Sequence, residues 1–191
     1  MAINFNGIEV TDINFNGTAL DKVIYNDTTV WEGWKPKTGS LYTMTSNTAP
    51  SPFVASGTQN TTFSKYGSPY QAFDGSDSNG YGADLFDEGK YIEAIIMFNL
   101  SKSIKIKKLY YSFYCKSGGT NTRQIWLQID GKWVSVMNVK VSGASSGTID
   151  IGSGQYADSI VTGIKARCTS LPSRDTYIKE IKVTEWLEKG N

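Results

Sequence analysis

Histidine is absent from the 191-residue chain. That excludes every Ser-His or Cys-His nucleophile pair, every His-ligated zinc and any imidazole-based pH switch. The two cysteines, Cys115 and Cys168, allow no four-Cys metal site and at most one disulfide. Neither sign of charge dominates: 19 Lys and Arg stand against 18 Asp and Glu, a net charge of +1. Neutralising many phosphates requires a basic excess, so nucleic acid is not an expected partner. No apolar run approaches the length of a bilayer span, and membrane insertion is not expected. Met1-Ala2-Ile3-Asn4-Phe5-Asn6-Gly7 lacks both a basic region and a long apolar stretch, so no signal peptide is read there. Long Ala, Leu, Glu and Lys tracts with a 3.6-residue period are also missing.

Aromatic residues make up 13% of the chain and hydrophobic residues 39%, with only 19% charged, which is too apolar for a disordered chain. Gly, Ser, Thr and Asn are frequent. The balance points to a mostly β protein. With no export signal read, Cys115 and Cys168 are expected as free buried thiols, both at strand ends and near one another.

The first residues repeat with a period of ten. Ile3-Asn4-Phe5-Asn6-Gly7 returns as Ile13-Asn14-Phe15-Asn16-Gly17 and, more loosely, as Val23-Ile24-Tyr25-Asn26-Asp27. Asn-Gly and Asn-Asp accept positive φ at both central turn positions, which predicts two-residue hairpin turns. Ile8–Phe15 and Thr18–Tyr25 are then antiparallel strands. Their apolar parity switches midway, which a bulge or extra turn near Thr11-Asp12 and Asp21-Lys22 explains. So small a meander buries too little apolar surface to stand alone, so residues 1–33 need the main domain, copies of themselves or another protein to dock on. Phe5-Asn6-Gly7, Phe15-Asn16-Gly17 and Tyr25-Asn26-Asp27 through Val30-Trp31 resemble a short repeat at the N-termini of tail-associated proteins of phages of Gram-positive bacteria.

Residues 34–42, polar and punctuated by Pro36 and Gly39, read as a linker. Residues 43–191 read as one domain. Its Ser-, Thr-, Asn- and Pro-rich part, 43–70, is expected to be loops, and all five prolines fall in stretches read as loop. Strand signals follow at Tyr91–Leu100 and Ile104–Cys115, the latter with a phase slip at Lys107-Lys108. Ile125–Ile129 and Trp133–Val141 flank a hairpin signal at Asp130-Gly131. Thr148–Ile151, Ile160–Cys168 and Ile178–Trp186 complete an antiparallel β-sandwich, with jelly roll the expected topology. Trp133 and Trp186 are expected in the core and Trp126 outside it. Trp31 and Trp34 are placed to anchor the N-terminal module. Lys102, Lys105, Lys107 and Lys108 read as a solvated strand face. Asp84, Asp87 and Glu88 form an acidic loop with no motif for carboxylate catalysis, and no enzymatic activity is expected.

Phe73-Asp74-Gly75-Ser76-Asp77-Ser78-Asn79-Gly80-Tyr81 is an oxygen-rich turn of a kind that suits a hard cation, although its spacing is not that of an EF-hand. Residues 68–186 resemble a discoidin-type domain, the coagulation-factor C-type galactose-binding jelly roll, a family that includes many bacterial carbohydrate-binding modules. The resemblance rests on Ala72-Phe73-Asp74-Gly75 with Asn79 and Tyr81, then Asp130-Gly131-Lys132-Trp133, Ala166-Arg167-Cys168 and Lys179-Glu180-Ile181-Lys182-Val183. Asn79 stands where the family has Thr, and Tyr81 where it has Trp. The resemblance implies a structural Ca²⁺ held by the Asp74 and Glu180 carboxylates, main-chain carbonyls of Gln71, Ser76 and Lys179, and an oxygen of Asn79, with Asp77 as an alternative. It also implies ligand residues in the loop after the second strand. Lys116 and Asn121 are the nearest equivalents, with Arg123 behind them; Tyr66, Phe86 and Arg174 lie in other candidate loops.

Together the two resemblances imply a phage tail, baseplate or tail-like particle component. It would be assembled in the host cytoplasm and exposed on the virion surface, oligomeric (a trimer is one arrangement), with its hairpins on other tail subunits and its jelly roll on a host-surface glycan. The alternatives are a purely structural virion protein and a free bacterial carbohydrate-binding module.

Overall fold

The computed structural model describes residues 4–5, 8–9, 13–16, 18–20, 22–26, 28–46, 53–59, 64–84, 92–115, 120–171 and 176–189. Its strands, in chain order, are β1 (Asn4–Phe5), β2 (Ile8–Glu9), β3 (Asn14–Phe15), β4 (Thr18–Ala19), β5 (Lys22–Tyr25), β6 (Thr28–Glu32), β7 (Trp34–Thr38), β8 (Phe53–Gln59), β9 (Ser64–Tyr66), β10 (Tyr81–Asp84), β11 (Ile92–Cys115), β12 (Thr120–Ile129), β13 (Lys132–Val141), β14 (Ser145–Asp150), β15 (Val161–Leu171) and β16 (Thr176–Lys189). A 3-10 turn, Pro69–Ala72, precedes β10.

Strand β11 belongs to both layers of an antiparallel jelly-roll sandwich. Its first half, Ile92–Asn99, lies between β15 and β8 in a layer ordered β13-β12-β15-β11-β8. Its second half lies between β14 and β16 in the other layer. There β10, with β9 beyond it, pairs with one end of β16, and β7 pairs with the opposite end. The expected phase slip at Lys107-Lys108 is a register shift against β16 between Ile106 and Leu109. It moves the inward set from Ile104 and Ile106 to Leu109 and Phe113, all buried. Asp130-Gly131 forms the expected two-residue turn between β12 and β13, with φ of 49° and 72°.

Between the layers Leu109, Phe113, Ile125, Leu127, Ile164, Ile178, Ile181 and Val183 share one core with Phe73, Tyr42 and Met44. Burying each such side chain contributes roughly 1.5–3 kcal/mol, the main stabilising term here. Cys115 and Cys168 are buried thiols that form no disulfide, as expected. Trp186 joins the core, and Trp126 lies outside it. Trp133 departs from expectation. It sits on the outer face opposite Gln128, where the Lys165 ammonium lies 5.1 Å from its ring and 4.4 Å from that of Trp126. A register shift between Ile125 and Trp126 sets that parity, and alternation alone does not reveal it.

The linker reading of 34–42 is corrected. Trp34–Thr38 pairs with Glu185–Lys189, and the chain continues along β16 through Gly39 N–H to Thr184 O and Leu41 N–H to Val183 O. Pro36 is tolerated because β7 is bonded on one side only. Trp34 packs on this sandwich under the Lys105 ammonium, 4.9 Å from the ring. Within 43–70, expected to be loops, β8 and β9 are strands, because the exposed edges of β11 and β10 supply ladder partners that local composition cannot show.

Among the described residues the N-terminal repeat forms three separate hairpins, not a continuous meander. Phe5 pairs with Ile8, Phe15 with Thr18 and Tyr25 with Thr28, each across a two-residue loop. Asn16 and Asn26 adopt φ of 49° and 48°, as those turns require. Ile24 and Tyr25 are 50% and 69% exposed.

Deleting residues 1–33 is expected to leave the melting temperature nearly unchanged. Deleting 1–44 strips β7 from β16 and removes Tyr42 and Met44 from the core, so the melting temperature should fall steeply, as circular dichroism would record.

Candidate functional site

The segment 73–80 folds over the outer face of β16. Asp74 Oδ1 accepts the Ser76 N–H at 2.9 Å, and the Ser76 and Ser78 hydroxyls bond at 2.6 Å. Gln71 Oε1 accepts the Ser68 N–H at 2.7 Å, closing the 3-10 turn that launches the segment. At the far end Tyr81 pairs with Ile178, which brings Gly80 against the backbone of β16. A Cβ at Gly80 would lie 2.6 Å from Ile178 O and 2.8 Å from Lys179 Cα, so this approach requires glycine.

This packing brings together the residues that the resemblance pairs. The Gly75 N–H donates to Glu180 Oε2 at 3.1 Å. Glu180 is 1% exposed, and its Oε1 has no hydrogen-bond partner among the described residues. Asn79 Oδ1 is likewise buried and unpartnered. Burial pushes the Glu180 carboxyl up to about 8, and the nearby Asp74 charge adds to the shift. The hydroxyl of Tyr42, which the sequence reading passed over, donates to Ile181 O beside this carboxyl. Burial and the Glu180 charge both push its phenol up.

The donor set fits a cation of modest charge demand. It offers the orphaned buried oxygens of Glu180 and Asn79, with the Asp74 carboxylate close enough to Glu180 to act on its charge. Among the described residues no three of Asp, Glu and Cys gather into a metal cluster. Asp77, the alternative ligand, accepts the Tyr110 hydroxyl on Oδ2 at 2.6 Å.

The expected ligand residues fare differently. Lys116, Phe86 and Arg174 lie outside the described residues, as do Asp87 and Glu88 of the acidic loop. Asn121 and Tyr66 have described backbones, in β12 and β9, but their side chains lie outside the description. Arg123 is a correction: it is fully buried, donates to Ser145 Oγ and Gly143 O, and faces the Phe113 ring at 5.9 Å. A side chain so enclosed meets no ligand from solvent; it braces the turn into β14. The lysine face is largely paired. Lys102 bonds Glu188 at 2.7 Å, Lys108 bonds Glu185 at 2.8 Å, and Lys107 donates to Ala157 O at 2.7 Å.

Backbone register gathers the other candidate loops. Cys115 pairs with Thr176, Thr120 with Leu171, Ala83 with Thr176 and Ala94 with Gln59. The residues bounding 60–63, 85–91, 116–119 and 172–175 therefore lie at one end of the sandwich. On the outer face nearby, the Tyr114 and Tyr177 rings stack with centroids 5.4 Å apart.

No protein-family profile and no curated protein matches the chain. Among solved structures it is similar to the family 32 carbohydrate-binding module of Clostridium perfringens NanJ, solved in complex with galactose: 15% identity over 70% of this chain and 93% of that one, TM-score 0.46. It is similar to a module of a Clostridium perfringens family 31 glycoside hydrolase at 17% identity over 71% and 95% of the two chains, TM-score 0.47. A chitosan-binding module from a Paenibacillus chitosanase/glucanase gives 16% identity over 68% and 91%, TM-score 0.43.

The Glu180 carboxyl carries a stability signature. Its folded value of about 8 exceeds the ordinary 4.5, so the unfolded chain ionises first. With chelator present, stability should be greatest below about pH 4.5 and fall by a few kcal/mol, in order of magnitude, as pH rises to 8. Glu180→Gln should flatten that slope in thermal melts; an unchanged slope would place the titrating group elsewhere.

Proposed function

We propose that this chain is a non-catalytic carbohydrate-binding component of a phage tail or tail-like particle. Its sandwich binds a host-surface glycan and its hairpins dock on other subunits or on copies of the chain. The observation that carries the glycan reading is the convergence at one pole of the sandwich of the strand ends that bound the segments 60–63, 85–91, 116–119 and 172–175. Segment 116–119 and the adjoining β12 hold Lys116 and Asn121, 85–91 holds Phe86, 172–175 holds Arg174, and β9 holds Tyr66. Lys116 is a point charge and not a planar fork, so it suits single hydroxyl contacts. The exposed Ile24 and Tyr25 on the third hairpin support docking of the N-terminal module, because an isolated hairpin is marginal in water.

Binding of Ca²⁺ by Asp74, Glu180, Asn79, Gln71, Ser76 and Lys179 is part of the proposal. The ion would satisfy the orphaned oxygens of Asn79 and Glu180 and tie the 73–80 segment to the last strand. A ligand that binds only the folded state stabilises it by about 3–4 kcal/mol at 100- to 1,000-fold its Kd.

Calcium is expected to raise the melting temperature over chelator, and Asp74→Asn to abolish the difference; equal melts in both buffers would remove the ion from the proposal. For the glycan, the full chain is expected to adsorb to purified Gram-positive wall polysaccharide, and Lys116→Ala with Asn121→Ala to weaken adsorption. Absence of binding to any wall polysaccharide would favour a purely architectural role. Light scattering with and without residues 1–33 tests docking, and a monomer in both cases counts against self-association.

A further inference from the structure

We propose that a groove on the outer face of the β14-β11-β16 layer is a second carbohydrate site, separate from the loop end. This rests on the glycan-binding reading above and extends it to a surface that reading does not use. Register puts Thr148, Tyr110 and Lys182 in one row across the three strands. Thr184 and Glu180 flank Lys182 along β16, and Gly75 and Asp77 close one side. The groove holds about 330 Å³, within the roughly 300–1,000 Å³ typical of small-molecule pockets.

The groove is ordered in advance. Tyr110 is fixed by its bond to Asp77 Oδ2 at 2.6 Å and by the Lys182 ammonium 5.7 Å from its ring centroid. Thr184 Oγ1 donates to Lys108 O at 3.4 Å. Glu180, buried and part of the lining, keeps Oε1 unpartnered among the described residues. In the ion-free chain that oxygen is open to a donor from outside, and a bound cation would take the same place, so cation and sugar compete there.

The lining selects the ligand class. Every sugar hydroxyl both donates and accepts. Here Asp77 and Thr184 can accept, Lys182 can donate and the Thr148 hydroxyl can do both, around one aromatic ring. Asp77 balances the Lys182 ammonium, so the groove has no net positive charge to hold a phosphate or an anionic polymer. No large aliphatic side chain lines the groove, which gives a lipid or an apolar peptide anchor nothing to bury against.

The test is amide chemical-shift mapping of the ¹⁵N-labelled full chain against galactose, glucose, N-acetylglucosamine and rhamnose, each in calcium and in chelator. At least one sugar should shift Tyr110, Thr148 and Lys182 saturably. Lys182→Ala and Tyr110→Ala should weaken that binding by about tenfold or more, equivalent to about 1.4 kcal/mol, and Tyr110→Phe by less, with melting temperatures close to wild type. Shifts confined to residues bounding 116–119 and 172–175 would overturn the groove and leave the glycan reading standing. Unmoved groove amides with all four sugars would also overturn the groove. If wall polysaccharide is then not adsorbed either, the glycan reading falls with it.

Discussion

Between Ser112 and Phe113 one step along β11 spans two along β16, from Glu180 to Ile178, leaving Lys179 as an extra residue. Strict alternation from Ile178 would send Glu180 into the core. The bulge instead gives that inward place to Ile181 and turns Glu180 outward, beneath the 73–80 segment. The rest of the site depends on this irregularity. It brings the carboxyl to the Gly75 amide, sets Lys182 beside Tyr110, and lets Tyr42 cap the strand through Ile181 O.

A carboxyl in that position is expensive when ionised and unpaired. Its one amide contact offsets part of the cost, while Asp74 and Asp77 add to it. The fold therefore holds a local electrostatic deficit at a place where sequence-distant oxygens converge. Structural cores avoid such deficits and binding sites tolerate them, which is a physical reason to look for function here.

Much of the sandwich was legible in the sequence because alternation and turn chemistry are local. Asp130-Gly131 fixed its hairpin, and the slip at Lys107-Lys108 was visible as a change of parity. The Asp74 and Glu180 pairing was legible only through resemblance, since 105 residues separate Gly75 from the carboxylate it bonds. Three features were not legible, each for a tertiary reason. Strands β7 and β8 have weak local signals and exist because edges of β16 and β11 were available. Arg123 reads as a polar loop neighbour, yet Ser145 and Gly143 satisfy it in the interior. The row Thr148-Tyr110-Lys182 depends on the register of three strands, which no single segment encodes.

Trp34 and Lys189 are cross-strand partners, so the sandwich is entered and left at neighbouring points. Those points lie at the end of β16 away from Thr176, which stands among the converging strand ends. Fourteen residues of strand separate the two poles, or roughly 45 Å at the usual rise. A partner that held the polypeptide upstream of Trp34 would therefore grip the sandwich by the heel and leave the opposite pole free. Tension along that tether would be met first by the β7-β16 ladder.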